Sequence, residues 1–324
     1  MLAGTRQRSR WACAALYRLC VTGLLLGLYG APPCHADRPA PLTLSKFGIL
    51  VPDTSNPYFS TLLRAAHARI TQSFPQAKLL ARATGYDEKS EATALSWLRQ
   101  EGVQVLLVAA AGPRINVAEF KAMHAAGIKI IAVDVDAPVA DVTIESDNRQ
   151  AGFDACRYLA KSLAGRGRVV IVNGPPAVSS VVERVAGCKA ALNEYASIQL
   201  VAEDQDGLAS RWGGSRAMTA YLQRYAEIDG VFAINDPSAL GAESAAAKAG
   251  RTRLKIASVD GSEEVRSALQ RPGQLVATAA QDPSEIGRHA GEVTVQLLED
   301  RYVGPRRVLL PTPLLVRSSA TSAD

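Results

Sequence analysis

Short apolar runs rich in β-branched residues alternate with longer amphipathic stretches over most of this 324-residue chain, and that alternation is its strongest constraint on fold. FGILV at 47–51 precedes an apolar helical pattern through Tyr58, Leu62, Leu63, Ala66 and Ile70. KLLARA, a helix through Leu95 and Leu98, VQVLLVA, a helix through Val117 and Phe120, and IKIIAV continue the series. Strands that alternate with helices form a parallel sheet covered on both faces. Local chemistry agrees: Asn56 can cap a helix with Pro57 at its first position, and Gly102 and Gly127 stand where helices should stop.

After Asp147-Asn148 the pattern restarts. Helices are expected over 150–164, 181–194, 212–225, 238–249 and 262–270, alternating with the strands RVVIV, IQLVAE, GVFAI, KIASV and QLVATAA. The residues beyond position 36 exceed what one core usually occupies, so two α/β domains are expected. A helix over 284–300 and a strand at 308–310 find no place in the second series and are expected to return to the first.

At the N-terminus Arg6, Arg8, Arg10 and Arg18 precede an apolar run from Leu19 to Tyr29 and a small-residue stretch ending at Ala36. This order reads as a secretory signal peptide over 1–36, cleaved after Ala36 to leave an exported protein, with a retained N-terminal anchor as the alternative. The run is too short for a membrane span, which needs about 20 apolar residues. Without those four arginines, 36 basic against 31 acidic residues becomes 32 against 31. Nucleic-acid binding draws on a concentrated basic excess, so none is expected. Cys156 and Cys188 are the only cysteines beyond the leader; export permits a disulfide between them, and two buried free thiols are the alternative.

Ligands of open parallel sheets bind beyond the carboxyl ends of the strands. There the sequence places Asp53, Asn56-Pro57-Tyr58-Phe59, Asp134, Asn235-Asp236, Asp260 and Gln281. Carboxylates and amides suit vicinal hydroxyls, and aromatic rings suit the C–H face of a sugar, although Asp and Asn at such places also form turns and caps. No HExxH, zinc-ligand spacing or G-x-S-x-G elbow occurs, and Gly165-Arg-Gly167 precedes its strand where a Rossmann loop would follow it. Neither an enzyme nor a cofactor or metal is expected.

The segments NPYF (56–59), SDN (146–148) followed by Gly152, ER (183–184), NDPSALGA (235–242), VDG (259–261) and ATAAQDP (277–283) stand in an order that resembles the ribose-binding-protein class of periplasmic sugar receptors. That class is similar to the effector domain of lactose-repressor-type regulators. The resemblance implies a type I periplasmic binding fold: two doubly wound parallel-sheet domains joined by three crossovers near 147–149, 281–282 and 310–311. The N-terminal domain would comprise 44–148 plus 282–310, and the C-terminal domain 149–281 plus 311–317. It implies that Asn56, Asp134, Arg184, Asn235, Asp260 and Gln281 bond ligand hydroxyls while Tyr58 and Phe59 pack on the ring. It departs from the ribose receptors at Val135, where they carry arginine, and at Gln205, where they carry an aromatic; Asp136 and Trp212 are candidates to compensate. The expected function is solute binding for an ABC importer of a monosaccharide or polyol, as a monomer that meets a membrane permease. The alternative is a periplasmic sensor that regulates a membrane kinase or chemoreceptor.

Overall fold

The computed structural model describes residues 43–317, so the expected leader lies outside the described residues. One sheet holds β1 (Lys46–Val51), β2 (Lys78–Ala83), β3 (Val105–Val108), β4 (Lys129–Val133), β5 (Val142–Ser146) and β11 (Arg307–Leu310). Its order is β11-β5-β4-β3-β1-β2, and every pairing is parallel. Helices α1 (Pro57–Ser73), α2 (Glu88–Gln100) and α3 (Val117–Ala125) connect its strands. Strand β3 is buried along its whole length, as is all of β1 after Lys46 and all of β4 after Lys129, because helices cover both faces of a parallel sheet. The edge strand β2 is half-buried to exposed and carries Lys78 and Arg82.

The second sheet holds β6 (Arg166–Asn173), β7 (Ser197–Asp206), β8 (Gly230–Ala233), β9 (Lys255–Asp260), β10 (Leu275–Ala280) and β12 (Leu314–Val316), in the order β12-β10-β9-β8-β6-β7. Only β12 runs antiparallel, against β10. Helices α4 (Asn148–Ser162), α5 (Ser179–Leu192), α6 (Arg211–Arg224), α7 (Asp236–Lys248) and α8 (Glu263–Leu269) belong with it, whereas α9 (Pro283–Leu298) packs on α1 and β4 of the first layer set. The chain therefore passes between the two domains three times: from β5 to α4, from β10 to α9, and from β11 to β12. The short β11 joins the first sheet beside β5, with Leu310 opposite Ser146.

The sequence reading passes over β5, because Thr143 and Glu145 interrupt its apolar run. Both are buried and partnered: the Thr143 hydroxyl donates to Asp136, and Glu145 accepts from Arg307. A strand can bury alternate polar residues when neighbouring loops and strands supply their bonds.

Helices α4 and α5 touch backbone to backbone. A Cβ at Gly152 would lie 2.0 Å from the Arg184 carbonyl oxygen, and one at Gly187 would lie 2.0 Å from that of Arg149. Only glycine admits this approach. It brings Cys156 and Cys188 to a Cα separation of 4.9 Å, where they form a disulfide, which decides between the two alternatives left open by the sequence.

Candidate functional site

The carboxyl ends of both sheets border one cavity of about 200 Å³, lined by all eight expected residues: Asn56, Tyr58, Phe59, Asp134, Arg184, Asn235, Asp260 and Gln281. This volume lies below the roughly 300–1,000 Å³ of pockets for drug-sized ligands.

One wall comes from the first domain. Asn56 caps α1, its side-chain oxygen accepting from the Tyr58 amide at 3.0 Å, and Pro57 fills the first helical position. That cap aims the next two side chains at the cavity. Phe59 is rooted in the core, and its ring meets that of Tyr58 edge-on, with centroids 5.1 Å apart. The Tyr58 hydroxyl donates to Asp134 Oδ1 at 2.6 Å. Asp134 follows β4 with φ of 64°, a left-handed conformation that turns its carboxylate inward. Burial raises its pKa, against the opposing pull of the Arg184 charge and the Tyr58 hydrogen bond. Burial first, and then the charge of Asp134, hold the Tyr58 phenol well above its ordinary range, so it stays a donor.

The other wall comes from the second domain and is more tightly bonded. Arg184, in the first turns of α5, is 4% exposed. Its Nε donates to Asn148 Oδ1 at 2.8 Å, and its Nη1 donates to the Ile234 carbonyl at 2.9 Å and approaches Asp260 Oδ1 at 3.4 Å. Its Nη2 has no hydrogen-bond partner among the described residues, and the side chain lines the cavity. Asp260 ends β9 with φ of 132°, a conformation that costs non-glycine residues energy and that tends to occur at functional sites. Its carboxylate accepts from Gln281 Nε2 at 2.8 Å and from the Asp236 amide at 3.3 Å. Burial pushes Asp260 up to about 7, with Arg184 opposing and the neighbouring Asp236 carboxylate adding to the rise. Asn235 caps α7 through Ser238 and donates to the Ala209 carbonyl, both at 3.0 Å. Gln281 lies in the crossover from β10 to α9, and its amide oxygen is 3.3 Å from the Tyr58 hydroxyl, so it stands between the two walls.

The four positions singled out at the margin lie outside the cavity lining. Val135 is wholly buried in the core, and Gln205 sits on β7, where its backbone N–H donates to the Tyr221 hydroxyl; neither lines the cavity. The carboxylate of Asp136 is engaged by Thr143 and by the Ala137 amide, and Trp212 is 66% exposed, with the Arg216 guanidinium over its ring. Neither lines the cavity. Sequence reasoning missed Tyr86, which lines the site in a left-handed turn after β2. An aromatic beside Gly85 at a strand end was the available signal.

The lining thus offers carboxylates, amides and one guanidinium around two tyrosines and a phenylalanine. Among the described residues there is no group of three or more side chains able to hold a metal ion. The polar groups suit a small ligand carrying several hydroxyls, and the rings suit its C–H face.

Comparison with known proteins gives relatives of the same build. The chain is 27% identical over 84% of its length to the ribose import binding protein RbsB of Bacillus subtilis, covering 87% of that protein. It is 29% identical over 60% of its length to the xylitol-binding protein of Mycolicibacterium smegmatis, covering 56% of that protein. An ABC transporter solute-binding protein from Mycobacterium smegmatis, solved with bound glycerol, superimposes with a TM-score of 0.77 at 28% identity, over 85% of this chain and 95% of that one. The periplasmic binding protein domain model matches residues 47–301, and with its two crossed-over α/β domains and the cavity between their sheets the chain belongs to that family.

Proposed function

We propose that this protein is the periplasmic solute-binding component of an ABC importer for a monosaccharide or related polyol, and that it closes its two domains around the ligand. The observation that carries this reading is the division of one small polar cavity between two domains. Tyr58, Phe59 and Asp134 come from one side, Arg184, Asn235 and Asp260 from the other, with Gln281 in the crossover between them. A ligand bonded by both sets stabilises the closed form through contacts it lacks in the open one. The domains already meet beyond the cavity: the Asp136 amide donates to Ser179 Oγ at 2.9 Å, and Gly112 packs on the Ala177 backbone. The named ligands of the relatives, ribose and xylitol, fall in the class that the cavity suits. The role is binding and presentation rather than catalysis, and residues 1–36 would direct export.

In this reading Asn56 offers its amide N–H, Arg184 its free Nη2, and Asp134 and Asp260 accept from ligand hydroxyls while Tyr58 and Phe59 cover the apolar face. Thermal-shift measurements and calorimetry on residues 37–324 with pentoses, hexoses, polyols and their phosphates test the reading. One neutral polyol should raise the melting temperature, since a ligand at a hundredfold excess over its Kd adds about 2.7 kcal/mol of apparent stability. A response to none of them, or only to the phosphates, overturns it.

A further inference from the structure

Arg184 is tied to the crossovers by side chains that lie outside the cavity. Its Nε–H is held by Asn148, the first residue of α4 and part of the first crossover. The Asn148 amide in turn donates to the Ser146 carbonyl at 3.0 Å and to Glu145 Oε2 at 3.4 Å. Glu145 on β5 has a fully buried side chain, and its other oxygen accepts from Arg307 Nε at 2.6 Å. Arg307 lies on β11, the strand that leads into the third crossover, and its Nη2 reaches across the domain boundary to Glu183 Oε1 at 2.6 Å. Glu183 is the residue before Arg184. The chain of bonds therefore closes on itself: it runs from Arg184 through Asn148, Glu145 and Arg307 to Glu183, and returns to Arg184 through one peptide bond.

We propose that Arg307 is a positioning residue for ligand binding: by clamping Glu183 of the second domain to Glu145 of the first, it sets where Arg184 stands when the domains are closed. A guanidinium suits the task because its planar fork can serve two carboxylates at once through different nitrogens, whereas a lysine offers a single ammonium on a flexible stem. The clamp also balances charge, since Glu145 has no other cation within bonding distance among the described residues. Without Arg307 the buried carboxylate would bond only to Asn148, drawing that amide away from the position that orients Arg184. This proposal rests on the ligand-binding reading above.

The test uses the full mature chain, with Arg307→Met, Arg307→Lys and Glu183→Gln compared with the parent. Two quantities are read: the Kd for the polyol identified in the ligand panel, and the hydrogen-exchange rate of the Arg184 Nε–H by 15N NMR, the signal being assigned by its loss in Arg184→Lys. Arg307→Met should raise Kd about tenfold and speed Arg184 Nε–H exchange at least tenfold, with Arg307→Lys intermediate on both. Glu183→Gln changes a partly exposed residue and breaks only the cross-domain half, so it keeps the proposal testable if Arg307→Met does not fold; it should raise Kd severalfold. An unchanged Arg184 exchange rate in Arg307→Met, or in Glu183→Gln if the former does not fold, overturns the proposal, as does a Kd that does not move. If the parent binds no polyol, the binding reading fails, and the exchange rate still decides whether Arg307 positions Arg184.

Discussion

The two walls of the cavity are built on different principles. The first-domain wall is aromatic, and its polar groups are few: Tyr58 bonds Asp134, and Phe59 is anchored by the core beneath it. In the second-domain wall the guanidinium of Arg184 and the carboxylate of Asp260 each have several protein partners before any ligand arrives. The disulfide and the glycine contacts between α4 and α5 brace the helix that carries Arg184. A preorganised polar wall loses little entropy on binding, and an aromatic wall supplies area with few orientational demands. The second wall should therefore fix orientation and the first should complete closure.

The largest test of that contrast is Arg184→Ala. Removing one partner of a buried pair leaves Asp260 without its cation, which costs about 3–5 kcal/mol of stability in comparable pairs, and it also takes away the Nη2 donor that faces the cavity. Ligand affinity measured by calorimetry should fall more than a hundredfold. A loss of tenfold or less would mean that the second wall does not dominate.

Removing the disulfide with Cys156→Ala and Cys188→Ala should cost about 2–4 kcal/mol of stability, read from denaturant melts. If bracing α5 matters to the site, affinity falls as well; unchanged affinity would confine the disulfide to stability.

At the rim, Gly112→Val tests closure from the first-domain side. Any Cβ there would lie 2.6 Å from the Ala177 carbonyl oxygen, and the nearest atoms all belong to the opposite domain. Overpacking of this kind costs about 1–3 kcal/mol and here falls on the closed form. Affinity should drop roughly tenfold while the ligand-free melting temperature holds; a lower ligand-free melting temperature would locate the damage within the first domain instead.

Tyr58→Phe keeps the ring and removes the bond to Asp134. A loss of fivefold to tenfold in affinity, in keeping with about 1 ± 0.5 kcal/mol for a typical hydrogen bond, would sharpen the contrast with Arg184. A loss as large as that of Arg184→Ala would erase it.

The gentlest effect in any one step is a pH slope. Burial raises both Asp260 and Glu145 to about 7, against ordinary values near 4 in the unfolded chain. Between roughly pH 4 and 7 the folded state then holds more protons than the unfolded one, so these groups favour folding most at low pH and that favour is lost as pH rises through 7. Asp260→Asn should flatten part of the slope, while stability at pH 8 and ligand affinity both fall because the buried Arg184 loses its carboxylate. An unchanged slope in urea midpoints across this range would show that Asp260 titrates normally.

How far each wall could be read from sequence follows from how local its determinants are. Asn56 and Pro57 mark the start of α1 by capping chemistry, and the apolar periodicity gives the strands and helices of both sheets, because these signals act within a few residues. The strand β5 was missed because Glu145 becomes acceptable in a core only beside Arg307, 162 positions away. The place of Tyr86 in the cavity depends on a turn after an edge strand, and nothing in the sequence around Trp212 tells an exposed aromatic from a lining one.

Composition and periodicity by themselves determined two α/β layer sets and a ring of polar groups at strand ends, since burying alternate or continuous apolar faces leaves few other arrangements. Tertiary structure alone decided that Arg184 is buried rather than solvated, that Cys156 meets Cys188, and that Val135 belongs to the core. Each of these depends on the approach of residues distant in the chain, on which local propensity has no bearing: the glycine contacts between α4 and α5 bring the cysteines together, Asn148, Ile234 and Asp260 hold Arg184, and the surrounding core takes up Val135.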